Sequence, residues 1–208
     1  MVTLNDREEI LVPFPHGVGR ESVPIASSFR STWLASSLRS LRERGLLARY
    51  LTHLPTQYHE DVLTSVAGVW LPTAVATAHY EACERLGLSE AMQLAMGAEV
   101  GKYAQGTVFG TAVRLAKGAG VTPWTIMERY PQIWSRVWIG GGVAVYKLGP
   151  KDARVEIAGW PCARIPYLRV AMRGVTGGLM TLFCRRAVVT AIPKYCTDLT
   201  LGYHFAWA

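Results

Sequence analysis

Residues 140–158 read GGGVAVYKLGPKDARVEIA, and the fold class turns on them. Gly140, Gly141 and Gly142 interrupt whatever precedes them. Val143, Val145 and Lys147 then alternate with Ala144, Tyr146 and Leu148, the period of a strand. Gly149-Pro150-Lys151-Asp152 is a turn signal. Beyond it, Val155 and Ile157 alternate with Arg154 and Glu156 across 153–158. Two alternating runs joined by so short a turn predict a hairpin. Downstream, Pro166 opens a stretch in which Leu168, Met172, Val175, Leu179, Leu182 and Phe183 recur at roughly helical spacing. Residues 187–192 and 199–207 read as two further strands. The alternation of Tyr203, Phe205 and Trp207 with Gly202, His204 and Ala206 is the clearest strand pattern in the chain. The expected fold class is therefore α+β, ending in a β-β-α-β-β module with a four-stranded antiparallel sheet.

Working outward, the residues before this module are read as helical. Ser27 or Ser28 caps a helix from about Phe29, with Trp33, Leu34, Leu38 and Leu41 at helical spacing and Gly45 at its end. A short helix covers 46–54. Pro55 and Thr56 start the next, with Glu60 placed as a capping partner. Val62, Val66, Val69 and Trp70 form its apolar face, and Pro72 ends it. Residues 74–86 form another helix that Gly87 terminates. Ser89 caps a long helical region towards Lys117. Gly97, Gly101, Gly106 and Gly110 fall within it, each costing a helix interior about 0.5–1 kcal/mol. Tight helix packing explains such a run better than a face approached by a ligand. Thr122-Pro123 starts a helix to Tyr130, and Pro131 restarts one that runs to about Gly140. Trp124, Trp134 and Trp138 lie on that pair. Residues 1–27, punctuated by Pro13, Pro15, Gly17, Gly19 and Pro24, are irregular, with a short strand at 9–14. The whole is read as one domain over 1–208, with an irregular segment (1–27), a helical subdomain (28–139) and the β-β-α-β-β subdomain (140–208).

The 208 residues are half hydrophobic and 18% charged, a globular composition far from disorder. No apolar run approaches the roughly 20 residues of a membrane span. The N-terminus carries early acids and no apolar signal core. The expectation is a soluble cytoplasmic protein whose Cys83, Cys162, Cys184 and Cys196 stay reduced; none of them forms a CxxC pair. Residues 1–139 hold 13 Lys/Arg against 12 Asp/Glu, whereas residues 140–208 hold 9 against 3. The basic surplus thus belongs to the C-terminal third. It is read as a solvated face, open to acidic partners; nucleic acid ranks last, because no aromatic-basic motif accompanies the charge.

Helices followed by β-β-α-β-β resemble the layout of haem–nitric-oxide-binding domains, vinyl-reductase-type sensor domains and TRAPP vesicle-tethering subunits. In detail the chain is similar to a paralogous family of uncharacterised myxobacterial proteins. Four pieces carry the likeness: Val69-Trp70-Leu71-Pro72, the surroundings of Gly97 and Gly101, Tyr130-Pro131-Gln132-Ile133-Trp134, and Tyr203-His204-Phe205-Ala206-Trp207. The resemblance implies the fold and a sensor-like role, and no established activity. Haem-binding relatives use a histidine on the helix before the sheet and a Tyr-x-Ser-x-Arg clamp. This chain has no histidine between His79 and His204 and no such motif. Haem is therefore not expected. Related phenol sensors hold a metal in a Cys-rich C-terminal module, but Cys162, Cys184, Cys196, Asp198 and His204 match no compact ligand spacing. Zinc is not expected either, and the cysteines are read as small hydrophobes.

Hydrolase and phosphate-binding signatures are lacking. The clusters Tyr58-His59-Glu60-Asp61 and His79-Tyr80-Glu81 have acid–base residue types, but are read as solvated surface. The aromatic residues say more. Trp70, Tyr80, Tyr103, Phe109, Trp124, Trp134 and Trp138 concentrate in the helical part, and Gly106 sits among them. Together these are the candidate residues for a site between helices and sheet, holding an apolar or aromatic small molecule. The leading expectation is a ligand-binding, sensor-like domain. Its alternatives are a homodimeric interaction module, as in tethering proteins, and an enzyme of secondary metabolism using the same space.

Overall fold

The computed structural model describes residues 8–105 and 122–208. Gly106, Phe109 and Gly110 lie outside the described residues, and of Tyr103 only the helical backbone is described. The chain is α+β, and its main sheet is antiparallel throughout.

β5 (Gly142–Gly149) and β6 (Asp152–Ala158) form the expected hairpin, with Val143 opposite Ile157 and Val145 opposite Val155. β8 (Leu201–Trp207) pairs with β6, and β7 (Ala187–Ala191) with β8. These four strands make the sheet read from the module. A fifth joins it: β1 (Glu9–Val12) pairs with the free edge of β5, giving the order β1-β5-β6-β8-β7. An edge strand presents unpaired N–H and C=O groups, and the short N-terminal strand satisfies those of β5.

Strand alternation sends two sets of side chains to opposite faces. Val143, Val145, Val155, Ile157, Leu201, Tyr203 and Phe205 enter the main core. Ala144 and Ala158 form a second, smaller cluster with Phe14 and Val23 of the N-terminal segment, and Tyr146 packs against it. That second face also buries Arg154 and Glu156, which meet Glu8 and Arg20. Gly159, at φ +67°, lets the N-terminal segment cross closely: a Cβ there would stand 2.4 Å from the carbonyl oxygen of Pro24.

Over the main core lie the helices α1 (Ser31–Glu43), α2 (Leu47–His53), α3 (His59–Thr64), α4 (Thr73–Glu84), α5 (Glu90–Gln105), α6 (Pro123–Glu128), α7 (Tyr130–Ser135) and α8 (Pro166–Met180). The closest pairing is α5 against α8. A Cβ on Gly97 would fall 1.9 Å from the carbonyl oxygen of Ala171, and one on Gly174 would fall 2.1 Å from that of Leu94. The glycines of α5 thus serve helix contact at Gly97 and Gly101, as the tight-packing reading expects.

Three local expectations are corrected. Residues 65–72 are not helical: Ser65 is extended, Gly68 takes φ +95°, and Trp70–Pro72 form strand β3. Val66 and Val69, read as a buried helix face, are 71% and 43% exposed. The helix expected from about Phe29 begins two residues later, at Ser31, because Ser28–Arg30 form strand β2 beside β3. The helix from Pro131 stops at Ser135, and Trp138–Ile139 become β4, with Phe29 opposite Trp138. In each case a short strand joins the small sheet β3-β2-β4, where its backbone finds partners that a frayed helix end would lack.

Candidate functional site

Between α7, β4 and α8 lies a cavity of about 30 Å³. One wall is aromatic. Trp134 and Trp138 stack with ring centroids 5.7 Å apart, and Trp160 stands edge-on to both at 5.4 Å. Phe29 stacks behind Trp138 at 5.6 Å. Leu168, Met172, Val175 and Leu179, on one face of α8, form the opposite wall. Tyr80, Tyr130 and Thr176 supply the hydroxyls of the lining. Thr176 already donates to the carbonyl of Met172 at 2.7 Å. The lining is buried apart from Trp33 and Ile133, which are half-buried. Among the described residues no charged side chain lines it, so this lining suits neutral apolar matter and disfavours ions.

A second cavity of about 20 Å³ adjoins it, sharing Trp33, Tyr80, Leu168, Met172 and Val175. Beyond them it reaches Ser37, Gly97 and Tyr167. Met172 belongs to both linings, and an unbranched thioether re-packs more readily than a branched side chain.

The local sequence explains why these side chains converge. Gly140 and Gly141, at φ +83° and +65°, turn the chain sharply after β4. The Gly140 carbonyl accepts the Trp134 indole N–H at 3.0 Å, which fixes that ring. Gly159 and Pro161 bracket Trp160, setting it at the end of β6 between sheet and helix.

The residues singled out by the sequence are divided by the structure. Tyr80, Trp134 and Trp138 line the cavity. Trp70 lies elsewhere, in β3 beneath the Arg30 guanidinium at 4.0 Å. Trp124 packs edge-on to Trp207 at 4.8 Å and donates to the Pro150 carbonyl, at the hairpin end of the sheet. Trp160 and Trp33 also line the cavity, and the sequence does not single them out. Trp160 follows a strand and not a helix, so a search of the helical aromatics passes it by; its Gly-Trp-Pro setting was the available signal.

The pair His79-Tyr80 is corrected from solvated surface to core: His79 is 0% and Tyr80 6% exposed. The face of α4 that carries Ala76, Ala78 and Cys83 turns both inwards. His79 is held at both nitrogens, Nδ1 by the Tyr50 hydroxyl at 2.7 Å and Nε2 by the Ser37 hydroxyl at 2.9 Å. Burial pulls its pKa down to about 3, so it is neutral at physiological pH. Burial also pushes the Tyr80 and Tyr50 phenols up, keeping both protonated. The Cys162 thiol is likewise pushed up to about 12 by burial, which leaves it an inert hydrophobe.

Among the described residues, no three His, Cys, Asp or Glu side chains gather as metal ligands. His204 instead faces Asp152 at 3.2 Å. Among the described residues no helix is long and apolar enough to cross a membrane.

No family model and no curated protein matches the chain. A solved structure from work on modulating haem redox potential through protein-induced porphyrin distortion is similar in fold, with a TM-score of 0.55. At 11% identity, the match covers 85% of this chain and 97% of that one. The likeness extends over nearly the whole of that protein, and what the two chains share is the fold.

Proposed function

We propose that this chain is a single-domain, cytoplasmic, sensor-like protein that binds a small neutral aromatic or apolar molecule in the cavity between α7, β4 and α8. The observation that carries this reading is the wall of Trp134, Trp138 and Trp160 facing an aliphatic wall, with no charged side chain among the described lining residues. Apolar enclosure with a few polar atoms is the usual character of a ligand site. The similar solved structure comes from work on a haem protein, which supports a ligand-holding role for the fold.

Haem itself does not suit these residues. None of the chain's histidines lines the cavity, and among the described residues no Lys or Arg lines it to meet a propionate. The space of about 30 Å³ falls well short of the several hundred Å³ usual for cofactor sites. It even falls short of the roughly 150 Å³ of an engineered apolar cavity that takes up benzene. Binding therefore includes side-chain displacement, with Met172 as the most adaptable part of the wall. The ligand is on the scale of one or two rings.

Native mass spectrometry of freshly purified protein tests the reading. A bound compound, or uptake of a small aromatic from a panel, supports it; bare protein that takes up none of the panel counts against it.

A second reading is a homodimeric interaction module. β7 ends the main sheet, and Val188 on it is 46% exposed. Such an edge can pair with another copy. Light scattering at micromolar concentration separates a dimer from a monomer, and a monomer removes this reading.

A further inference from the structure

The Trp160 indole is 1% exposed, and its Nε1–H has no hydrogen-bond partner among the described residues. Its neighbour Trp134 behaves differently. Trp134 Nε1 donates to the Gly140 carbonyl at 3.0 Å. A buried tryptophan N–H ordinarily finds an acceptor. The Trp160 ring stands at steep angles to those of Trp134 and Trp138, with centroids 5.4 Å away from each. A ring face is a much weaker acceptor than a carbonyl or a ring nitrogen. The residue with the unfilled donor is also one that lines the cavity beside Trp134 and Trp138.

Resting on the ligand-binding reading, we propose that the ligand is a neutral aromatic compound bearing a hydrogen-bond acceptor, a carbonyl oxygen or an unprotonated ring nitrogen, which accepts from Trp160 Nε1. Three features of the lining converge on this class. The absence of charge among the described lining residues disfavours acids and amines, which would be desolvated without a counter-charge. The flat indole pair of Trp134 and Trp138 favours a ring. The orphaned donor selects among rings, because an analogue lacking the acceptor leaves the N–H unpaired. Trp160 is in this account a specificity-determining residue.

The test uses two probes of nearly equal shape, pyridine and benzene, at mildly alkaline pH where pyridine is neutral. Binding is followed on the ¹⁵N-labelled full chain by the indole N–H resonances. Pyridine is expected to move the Trp160 Nε1–H resonance downfield as a hydrogen bond forms, and benzene is expected not to. In Trp160→Phe the ratio of pyridine to benzene affinity is expected to fall about tenfold, the factor that one hydrogen bond supplies. The wild-type shift stands alone should the variant not fold. If both probes bind, the Trp160 proton does not shift and the ratio is unchanged, the acceptor proposal is overturned while the ligand-binding reading survives. If neither probe binds, both fall together.

Discussion

A Cβ added to Gly97 would lie 1.9 Å from the carbonyl oxygen of Ala171, so α5 and α8 touch backbone to backbone at that point. Since the obstacle is main chain, it cannot rotate away. Gly97→Ala is expected to destabilise the protein by about 1–3 kcal/mol or more, despite alanine's better helix propensity. Gly178→Ala is the control: its Cβ would meet nothing nearer than 3.8 Å, so it is expected to be neutral or to stabilise by about 0.5–1 kcal/mol. Urea unfolding of the two variants measures both, and equal effects would contradict this packing.

His79 gives the folded state an acid sensitivity. Its folded pKa of about 3 lies below the ordinary value of 6.5. Between those values the unfolded chain binds the extra proton, so stability is complete above about pH 6.5 and declines as pH falls. The slope from this group reaches at most about 1.4 kcal/mol per pH unit. His79→Gln is expected to flatten the decline between about pH 6.5 and 5, above the range in which carboxylates titrate. Unfolding curves of both proteins across that window check it; identical slopes would show that His79 is not the group responsible.

On the far face of the sheet, Arg154 bonds Glu156 at 2.8 Å and also pairs with Glu8, beneath the ring of Tyr146 at 4.1 Å. Glu156 is 1% exposed. Arg154→Ala leaves that carboxylate buried with Arg20 as its remaining partner and is expected to cost about 3–5 kcal/mol. Replacing both Arg154 and Glu156 with Met and Leu is expected to restore part of the loss, since the buried carboxylate is gone and the Arg20 and Glu8 charges that remain, 30% and 51% exposed, stay in reach of water. Hydrogen exchange would show where the loss falls: faster exchange is expected in β1 and the N-terminal segment that Arg154 ties to the sheet.

The β-β-α-β-β module could be read from residues 140–207 because its alternation, turn residues and proline start all agree. The segments misread share one property. Residues 65–72 and 136–139 are short, and their apolar residues fit a helix wheel as well as a strand. What decides them is pairing with β2, a contact between residues such as Phe29 and Trp138 that are far apart in sequence. The site was visible in part for the same reason. Tyr80, Trp134 and Trp138 stand out as helical aromatics, but the cavity exists because Trp160 arrives from the end of β6, a meeting made only by the tertiary fold. His79 was misplaced because its polar neighbours Glu81 and Glu84 lie on the other side of α4 from its buried face.

Leu179 offers a way to close the cavity without touching the indoles. It lines the space from α8 and is 9% exposed. Leu179→Phe adds volume where there is room, so it is expected to change stability by less than about 1.5 kcal/mol, measured as the shift in urea midpoint.

Titrating small neutral aromatic compounds against the indole resonances of Trp134, Trp138 and Trp160, in the wild type and in Leu179→Phe, tests the ligand cavity most directly. The account predicts saturable shifts confined to those three indoles in the wild type and their loss in the filled variant. Shifts that never saturate, or that survive unchanged in Leu179→Phe, would contradict it.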